Sequence, residues 1–486
     1  MTDRAGANST SPAGARLRVL VRALAHDADV FAARTERAGL LREQDRFDEA
    51  KRDYLELLRR KPDDFAALND FGTLVLNAGY SEAARSLFAE AVRHHPNNAN
   101  GRVNLANLLF LRGEHAAARE HFEAALKTDP GHIHAHRGMG NLLAALGDSA
   151  GAKAHRDQGF KGQAVTVLPY RGESAPISVL LLVSAAGGNI PTSALLDQRQ
   201  FRTTVLVTEY AEPNLALPLH DLVFNSIGDA DLCRDGLHAA MALLSRITKP
   251  VINHPASVLK TGRVDNVARL RGLPGVVVPY MAMMPKRKLL DRSAAAEMAA
   301  YGFAFPLLVR AVGFHTGFHF AQVATPQELS STVPDFPGDD VCVIEQLDAR
   351  DREGMYRKYR VMFVDGALYP LHLAVSREWK VHYFTADMAD SPANRAKDEA
   401  FLADMAGAIG QRAMAGLERI RAALALDYGG IDFAVNAQGE ILFFEANATM
   451  VVYPPVADLK WAYRRPAVEA VLTAVRTMLV GRAGAA

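Results

Sequence analysis

Asp432, Glu445 and Asn447, near the C-terminal end of the chain, carry oxygen donors at a spacing that lets them converge. The segment GGIDFAVNAQGEILFFEANATM (429–450) reads as two short strands around a turn at Ala437-Gln438-Gly439. Glu445 and Asn447 are two residues apart, so on a strand they share a face, and antiparallel pairing brings Asp432 beside them. Glu445 directly follows Ile441-Leu442-Phe443-Phe444, and a carboxylate so close to an apolar core is costly unless it is paired or binds a cation. Two carboxylates and an amide oxygen are hard ligands of the kind magnesium takes, with phosphate oxygens and waters completing the shell. Upstream, Arg310 follows the apolar run FPLLV and precedes a loop bounded by Gly313 and Gly317. A fixed cation beside the amides of a glycine turn is what a polyphosphate needs.

These residues require a scaffold of strands. ISVLLLVS (177–184), TTVLVTEY (203–210), DLVFNSI (221–227) and KPVINHP (249–255) are apolar runs, with a helical pattern across 233–247. Continuous apolar strands alternating with helices imply a parallel sheet covered on both faces. The turn Gly187-Gly188-Asn189 lacks the GxGxxG spacing of a dinucleotide site.

The first third of the chain has a different period. Pro62, Pro96 and Pro130 recur every 34 residues, as do Ala50, Ala84, Ala118 and Ala152, and the aromatics Tyr54, Phe88 and Phe122. Ala38, Gly72, Ala106 and Gly140 keep the same step, and Gly79, Gly113 and Gly147 close the first helix of each unit. The pattern is that of a helix–turn–helix unit in which small residues admit close approach, an aromatic fills the gap and proline stops the second helix. Residues 31–164 resemble tetratricopeptide repeats, preceded at 1–30 by a disordered or short helical segment. In peptide-binding members of that family, asparagines of the inner helix bond the ligand backbone. The resemblance implies that role for Asn104, Asn107 and Asn141, with a peptide or protein partner in the groove. Homodimerisation through the array and packing of the array on the second half of the chain are the other uses open to it.

Composition sets the limits. The 486 residues are 49% hydrophobic and 22% charged with a formal net charge of +1, which offers no support for a nucleic-acid or anionic-membrane surface. Two cysteines, Cys233 and Cys342, cannot build a disulfide framework or a thiolate zinc site. No apolar run is long enough to span a bilayer and the N-terminal stretch lacks a signal-like apolar region. The cytoplasm is the expected location.

Beyond residue 176 the motifs resemble ATP-grasp ligases of the glutathione-synthetase and RimK-like type. The resemblance rests on INHPASVLKTGRVDNVARLRGLPGVVVP (252–279), FPLLVRAVGFHTGFHF (305–320), VCVIEQLD (341–348), KYRVMFVDGALYPLHLAVSREWKVHY (358–383) and the 429–450 hairpin. It implies a helical solenoid followed by a Rossmann-like pre-ATP-grasp domain (176–280) and a two-lobed ATP-grasp domain (281–486). It further implies ATP and magnesium as cofactors. Arg310 with Gly313 and Gly317 would cover the phosphates, Glu345, Gln346 and Leu347 would meet adenine, and Asp348 or Asp351 would hold the ribose. Asp432, Glu445 and Asn447 would hold magnesium. Arg360 and Arg377 would face the transferred phosphate and the acyl phosphate, and Lys380 and His382 would lie on the substrate loop. Arg310 and Asn266 stand where many members carry lysine. The implied activity is ADP-forming carboxylate–amine ligation through an acyl phosphate, acting on small-molecule or peptide substrates. A nucleotide-binding adaptor that does not ligate, and a kinase on the same fold, are the alternatives.

Overall fold

The computed structural model describes residues 12–26, 31–44, 46–290, 294–313, 317, 319–381, 386–455 and 458–484. Two compact units emerge, Met1–Lys161 and Gly162–Ala486.

In the first unit, α1 (Pro12–His26) precedes antiparallel helix pairs: α2 (Phe31–Glu43) with α3 (Phe47–Arg60), α4 (Phe65–Asn77) with α5 (Ser81–His94), α6 (Ala99–Leu111) with α7 (His115–Thr128), and α8 (Ile133–Ala145) with α9 (Ser149–Phe160). The 34-residue series explain the packing. Ala50, Ala84, Ala118 and Ala152 are wholly buried, and Tyr54, Phe88 and Phe122 fill the same core. A Cβ at Gly72 would lie 2.6 Å from Cε1 of Phe88, so only glycine lets that ring sit flush on α4. Gly79, Gly113 and Gly147 adopt positive φ after α4, α6 and α8, the left-handed cap that ends a helix and frees the chain to turn. At the other end of the same helices, Asp64, Asn98 and His132 cap α4, α6 and α8 by accepting from Ala67, Gly101 and Ala135 N–H. Leu17 of α1 joins the repeat core, so part of the 1–30 segment is an ordered helix.

Among the described residues, the second unit contains three sheets. β1 (Val165–Val167), β2 (Ile177–Val183), β3 (Phe201–Val207), β4 (Leu222–Asn225) and β5 (Val251–Ile252) form the first, in the order β1-β3-β2-β4-β5. β2 to β5 run parallel, with α10 (Arg234–Leu244) in the crossover between β4 and β5. The all-parallel expectation fails at one edge, where β1 pairs antiparallel with β3. β1 is short and largely solvent-facing, and such an edge does not need the two-sided cover of a parallel strand.

After α11 (Pro255–Val258), α12 (Arg263–Leu270) and β6 (Val276–Val277), the strands β7 (Met281–Pro285), β8 (Leu307–Ala311), β9 (Phe320–Val323) and β10 (Asp340–Glu345) make an antiparallel sheet in the order β7-β10-β8-β9. Its own core includes Met298 of α13 (Ala294–Ala300) and Leu329 of α14 (Pro326–Thr332). β11 (Tyr356–Val364), β12 (Ala367–Ser376), β13 (Tyr428–Val435) and β14 (Ile441–Asn447) build the third sheet, ordered β12-β11-β13-β14-β6. α15 (Pro392–Ala403), α16 (Met405–Leu424) and α17 (Arg465–Gly484) pack on it through Phe401, Leu417, Ile420 and Leu472.

The break expected near residue 280 is not a break in the hydrophobic core. One cluster runs from Phe224 and Ile252 of the first sheet to Ile431 and Phe443 of the third, and β6 pairs parallel with β14. Asn253, at φ 53°, joins the two sheets. Its amide donates to Tyr428 O at 2.8 Å and accepts from Tyr428 N at 2.9 Å. Asparagine is among the few residues that enter the left-handed region readily, so the Asn of the INHP motif acts as a clamp. Among the described residues no helix is long and apolar enough to cross a membrane.

Candidate functional site

The third sheet sets a row of polar side chains across four strands. In register, His372 of β12 faces Arg360 of β11, Arg360 faces Asp432 of β13, and Asp432 faces Glu445 of β14. Arg360 holds Asp432 through two parallel bonds, Nε to Oδ1 at 2.6 Å and Nη2 to Oδ2 at 2.8 Å. Lys358, two residues earlier on β11 and so on the same face, approaches Asp432 Oδ2 at 3.3 Å. Arg263 of α12 donates to Glu445 Oε1 at 2.6 Å. The Asn447 amide donates to that same oxygen at 2.9 Å, and its Oδ1 accepts from Thr449 N and Oγ1. The convergence expected of Asp432, Glu445 and Asn447 is what strand pairing produces, but each arrives with a protein partner.

Burial governs the electrostatics. Taken alone it would raise the Asp432 carboxyl, but Arg360 and Lys358 outweigh it and hold the group well below the usual carboxylate range. Arg310 lies inside β8 rather than after the strand, is only 8% exposed, and sits over the Phe320 ring. Burial, then the nearby charge of Arg263, push its pKa down to about 10, so it keeps its charge at neutral pH. His372 is held well below its ordinary value near 6.5 by burial first and by Arg360 second.

The depressed His372 makes an acid limb in stability. As pH falls below 6.5 the unfolded chain takes up a proton that the folded chain refuses, so stability is present above that pH and lost below it. Each pH unit is worth about 1.4 kcal/mol. The second unit is expected to melt at progressively lower temperature from about pH 7 to about pH 5.5, with a flatter profile in His372→Gln, as followed by thermal denaturation.

The row forms one wall of a cavity of about 940 Å³ between the second and third sheets, at the upper end for a ligand pocket. Arg263, Arg310, Arg357, Lys358, Arg360, Lys380 and Arg464 line it against Glu345, Asp432 and Glu445; seven cations about three carboxylates suit a polyanion. Met281, Leu308, Ile344 and Phe443 add an apolar slot beside the chain Glu345–Leu347 at the end of β10. There Glu345 exchanges bonds with Tyr280, accepting from its N at 2.8 Å, and Gln346 accepts from Gln322. Lys380 lines the cavity and donates to Phe320 O at 3.2 Å. Gly317 lies beside it, where a Cβ would press on Cε of Lys380.

Other expected residues fall elsewhere. Gly313 has the positive φ of a turn but does not line the cavity. Asp348 pairs with Arg350 and Asp351 with Arg357, both carboxylates lying outside the lining. Arg377 follows the end of β12 as an exposed residue away from the cavity wall, because the buried run of β12 stops at Ser376. His382 lies outside the described residues, as do 314–316 of the glycine loop. Asn266 is buried, and its amide donates to Thr261 O and Ala446 O; it ties α12 to β14 and is no substitute for a phosphate-binding lysine. His372 escaped notice in the sequence because a lone histidine in LHLAV reads as an ordinary strand residue.

Magnesium fits the donor chemistry of this wall. Among the described residues no three His, Cys, Asp or Glu side chains cluster to hold a metal by themselves. The adjoining Glu445 and Asn447, with Asp432 on the next strand, offer the hard oxygens that such an ion shares with phosphates and water.

In the repeat unit, Asn107 of α6 and Asn141 of α8 occupy equivalent exposed positions 34 residues apart, while Asn104 donates to Asn69 Oδ1 at 2.6 Å in the preceding repeat.

Among curated proteins, none matches the chain. Similar solved structures each cover under a third of the chain. MamA is 15% identical, spanning 31% of this chain and 94% of its own, with a TM-score of 0.28. YrrB, described as a TPR protein with an unusual peptide-binding site, is 22% identical over 30% of this chain and 74% of its own, at 0.26. A thermophilic TPR protein of Thermus thermophilus is 19% identical over 30% of this chain and 81% of its own, at 0.27. The tetratricopeptide repeat family matches residues 35–99, 69–133 and 109–159, and the N-terminal region of this protein is therefore a TPR array.

Proposed function

We propose that the second unit is an ATP-grasp ligase that joins a carboxylate to an amine with release of ADP, and that the TPR array recruits a peptide or protein partner. The observation that carries this reading is the wall on which Asp432, Glu445 and Asn447 meet Arg263, Arg310, Lys358 and Arg360 around one large cavity. A protein stabilised by apolar packing has little use for so many desolvated charges, each expensive unless paired or functional.

In this reading the slot beside Glu345–Leu347 takes adenine, and Arg310 and Arg263 screen the phosphate oxygens. Glu445, Asn447 and Asp432 would hold magnesium, which supplies charge neutralisation to the β- and γ-phosphates when bound. A substrate carboxylate attacks the γ-phosphorus, and ADP leaves. Arg360, fixed by Asp432, faces the oxygens of the resulting acyl phosphate, a task that the exposed Arg377 is not placed to share. An amine then displaces phosphate. Positioning and electrostatics supply most of the acceleration in such a transfer, so no protein nucleophile is needed. Asn107 and Asn141 are the groove residues best exposed for a partner in the TPR array.

The test is calorimetric titration of the full chain with a non-hydrolysable ATP analogue. Binding is expected with magnesium and weak or absent without it. No binding under either condition overturns the reading. One observation favours a second view, a nucleotide-binding adaptor: Asp432 is already closed in a bidentate pair with Arg360. Binding without any ADP release across a panel of carboxylates and amines would select that view.

A further inference from the structure

The two carboxylates proposed to hold magnesium already carry cations of the chain itself. Asp432 takes Arg360 through two bonds of 2.6 and 2.8 Å and Lys358 at 3.3 Å, while Glu445 takes Arg263 at 2.6 Å. Three positive charges on two negative ones leave this stretch of wall with an excess of one. A free divalent cation approaching it meets repulsion, whereas a polyphosphate meets attraction.

The three cations are not equally fixed. Arg360 grips Asp432 with a planar fork, and Arg263 donates at 2.6 Å from α12. Lys358 is a point charge on a flexible four-carbon stem, and its 3.3 Å is the longest of these contacts. It stands two residues before Arg360 on β11 and so on the same face, its side chain 15% exposed, and it lines the large cavity. Its contact is with Oδ2, the oxygen that Arg360 Nη2 also reaches. A carboxylate oxygen has two lone pairs, so Lys358 stands on the one that Arg360 leaves.

We infer that Lys358 is an exchangeable counter-ion of Asp432, which makes the wall refuse free magnesium and accept it only together with the phosphates of a nucleotide. The inference rests on the ligase reading for the nucleotide and goes beyond it in assigning the order of binding. Phosphate oxygens bring enough negative charge to reverse the excess on the wall. Lys358 turns from Asp432 Oδ2 to those oxygens, and the lone pair it leaves is open to a hard cation. Lys358 is thus a positioning residue that acts through Asp432, with Arg360 keeping the carboxylate in place throughout.

Calorimetry on the full chain tests this, with Lys358→Met to remove the ammonium while keeping a long stem, and Lys358→Arg to keep the charge. Wild-type protein titrated with magnesium chloride alone is expected to show no saturable binding at millimolar concentration. In Lys358→Met the magnesium concentration that half-saturates binding of a non-hydrolysable ATP analogue is expected to fall at least about tenfold. Lys358→Arg is expected to stay near wild type, a rescue that follows from charge and not from packing. Asp432 remains closed by Arg360 in both variants, so their thermal midpoints should match that of wild type. Saturable binding of magnesium to the wild-type chain without nucleotide overturns the inference, even if the variants fail to fold. An unchanged half-saturating concentration in folded Lys358→Met overturns it equally. Either result, with analogue binding intact, leaves the ligase reading standing. A wild-type chain that binds no analogue under any condition removes that reading and this inference with it.

Discussion

Asp432→Ala is expected to destabilise the second unit by about 3–5 kcal/mol, the range for breaking a buried ion pair from one side. The carboxylate is 4% exposed and neutralises Arg360 by two bonds and Lys358 at 3.3 Å. Alanine removes the anion and leaves both cations side by side on β11, and His372 on the neighbouring strand has no negative charge to offer in its place. The loss should be smaller in Asp432→Asn, which preserves volume and one acceptor. Denaturant unfolding followed by indole fluorescence measures this in the second unit alone, because Trp379 and Trp461 both belong to it. A change below about 1 kcal/mol would show that the row does not act as a closed electrostatic unit.

Glu445→Gln is expected to lower ADP formation by about 10²–10³-fold, the magnitude typical of removing one preorganised charge-stabilising group. Glutamine keeps the shape and an oxygen for Arg263 and Asn447, whose bonds to Oε1 are 2.6 and 2.9 Å, so the fold should tolerate it. What it removes is the charge, and with it the stronger oxygen donor of the proposed magnesium site. Single-turnover ADP release, set against an unchanged thermal midpoint, separates loss of chemistry from loss of structure. Wild-type turnover in this variant would sink the proposed mechanism. Retained analogue binding with no turnover would instead place the effect in the transfer step.

Much of the organisation is written in local patterns. The 34-residue step predicts which alanines vanish into the repeat core and where each inner helix stops, because a helix pair must place its small residue and its aromatic at fixed offsets to pack at all. The turn at 437–439 likewise sets Phe433 opposite Phe443, since a hairpin fixes register over a few residues; a bulge beyond that pair, which no local pattern shows, then puts Asp432 opposite Glu445 rather than Phe444. Arg310 was legible as a cation at a strand, although its burial was not.

The rest depended on contacts between distant parts of the chain. Arg360 and Asp432 are 72 residues apart, and Arg263 and Glu445 are 182 apart, separations at which no local period carries information. Arg360 and Arg377 read alike in sequence, yet one closes a buried pair and the other lies exposed past the strand end. Asn266 and Asn253 read as motif positions near a site, and the fold uses their amides to satisfy buried carbonyls between its elements. Local sequence determined the repeat array, the strands and the shared face of Glu445 and Asn447, because side-chain period and turn chemistry act within a few residues. Tertiary structure alone decided which cations meet those carboxylates and which indoles share their cavity, because burial and charge pairing are set by whichever strands and helices come to lie side by side.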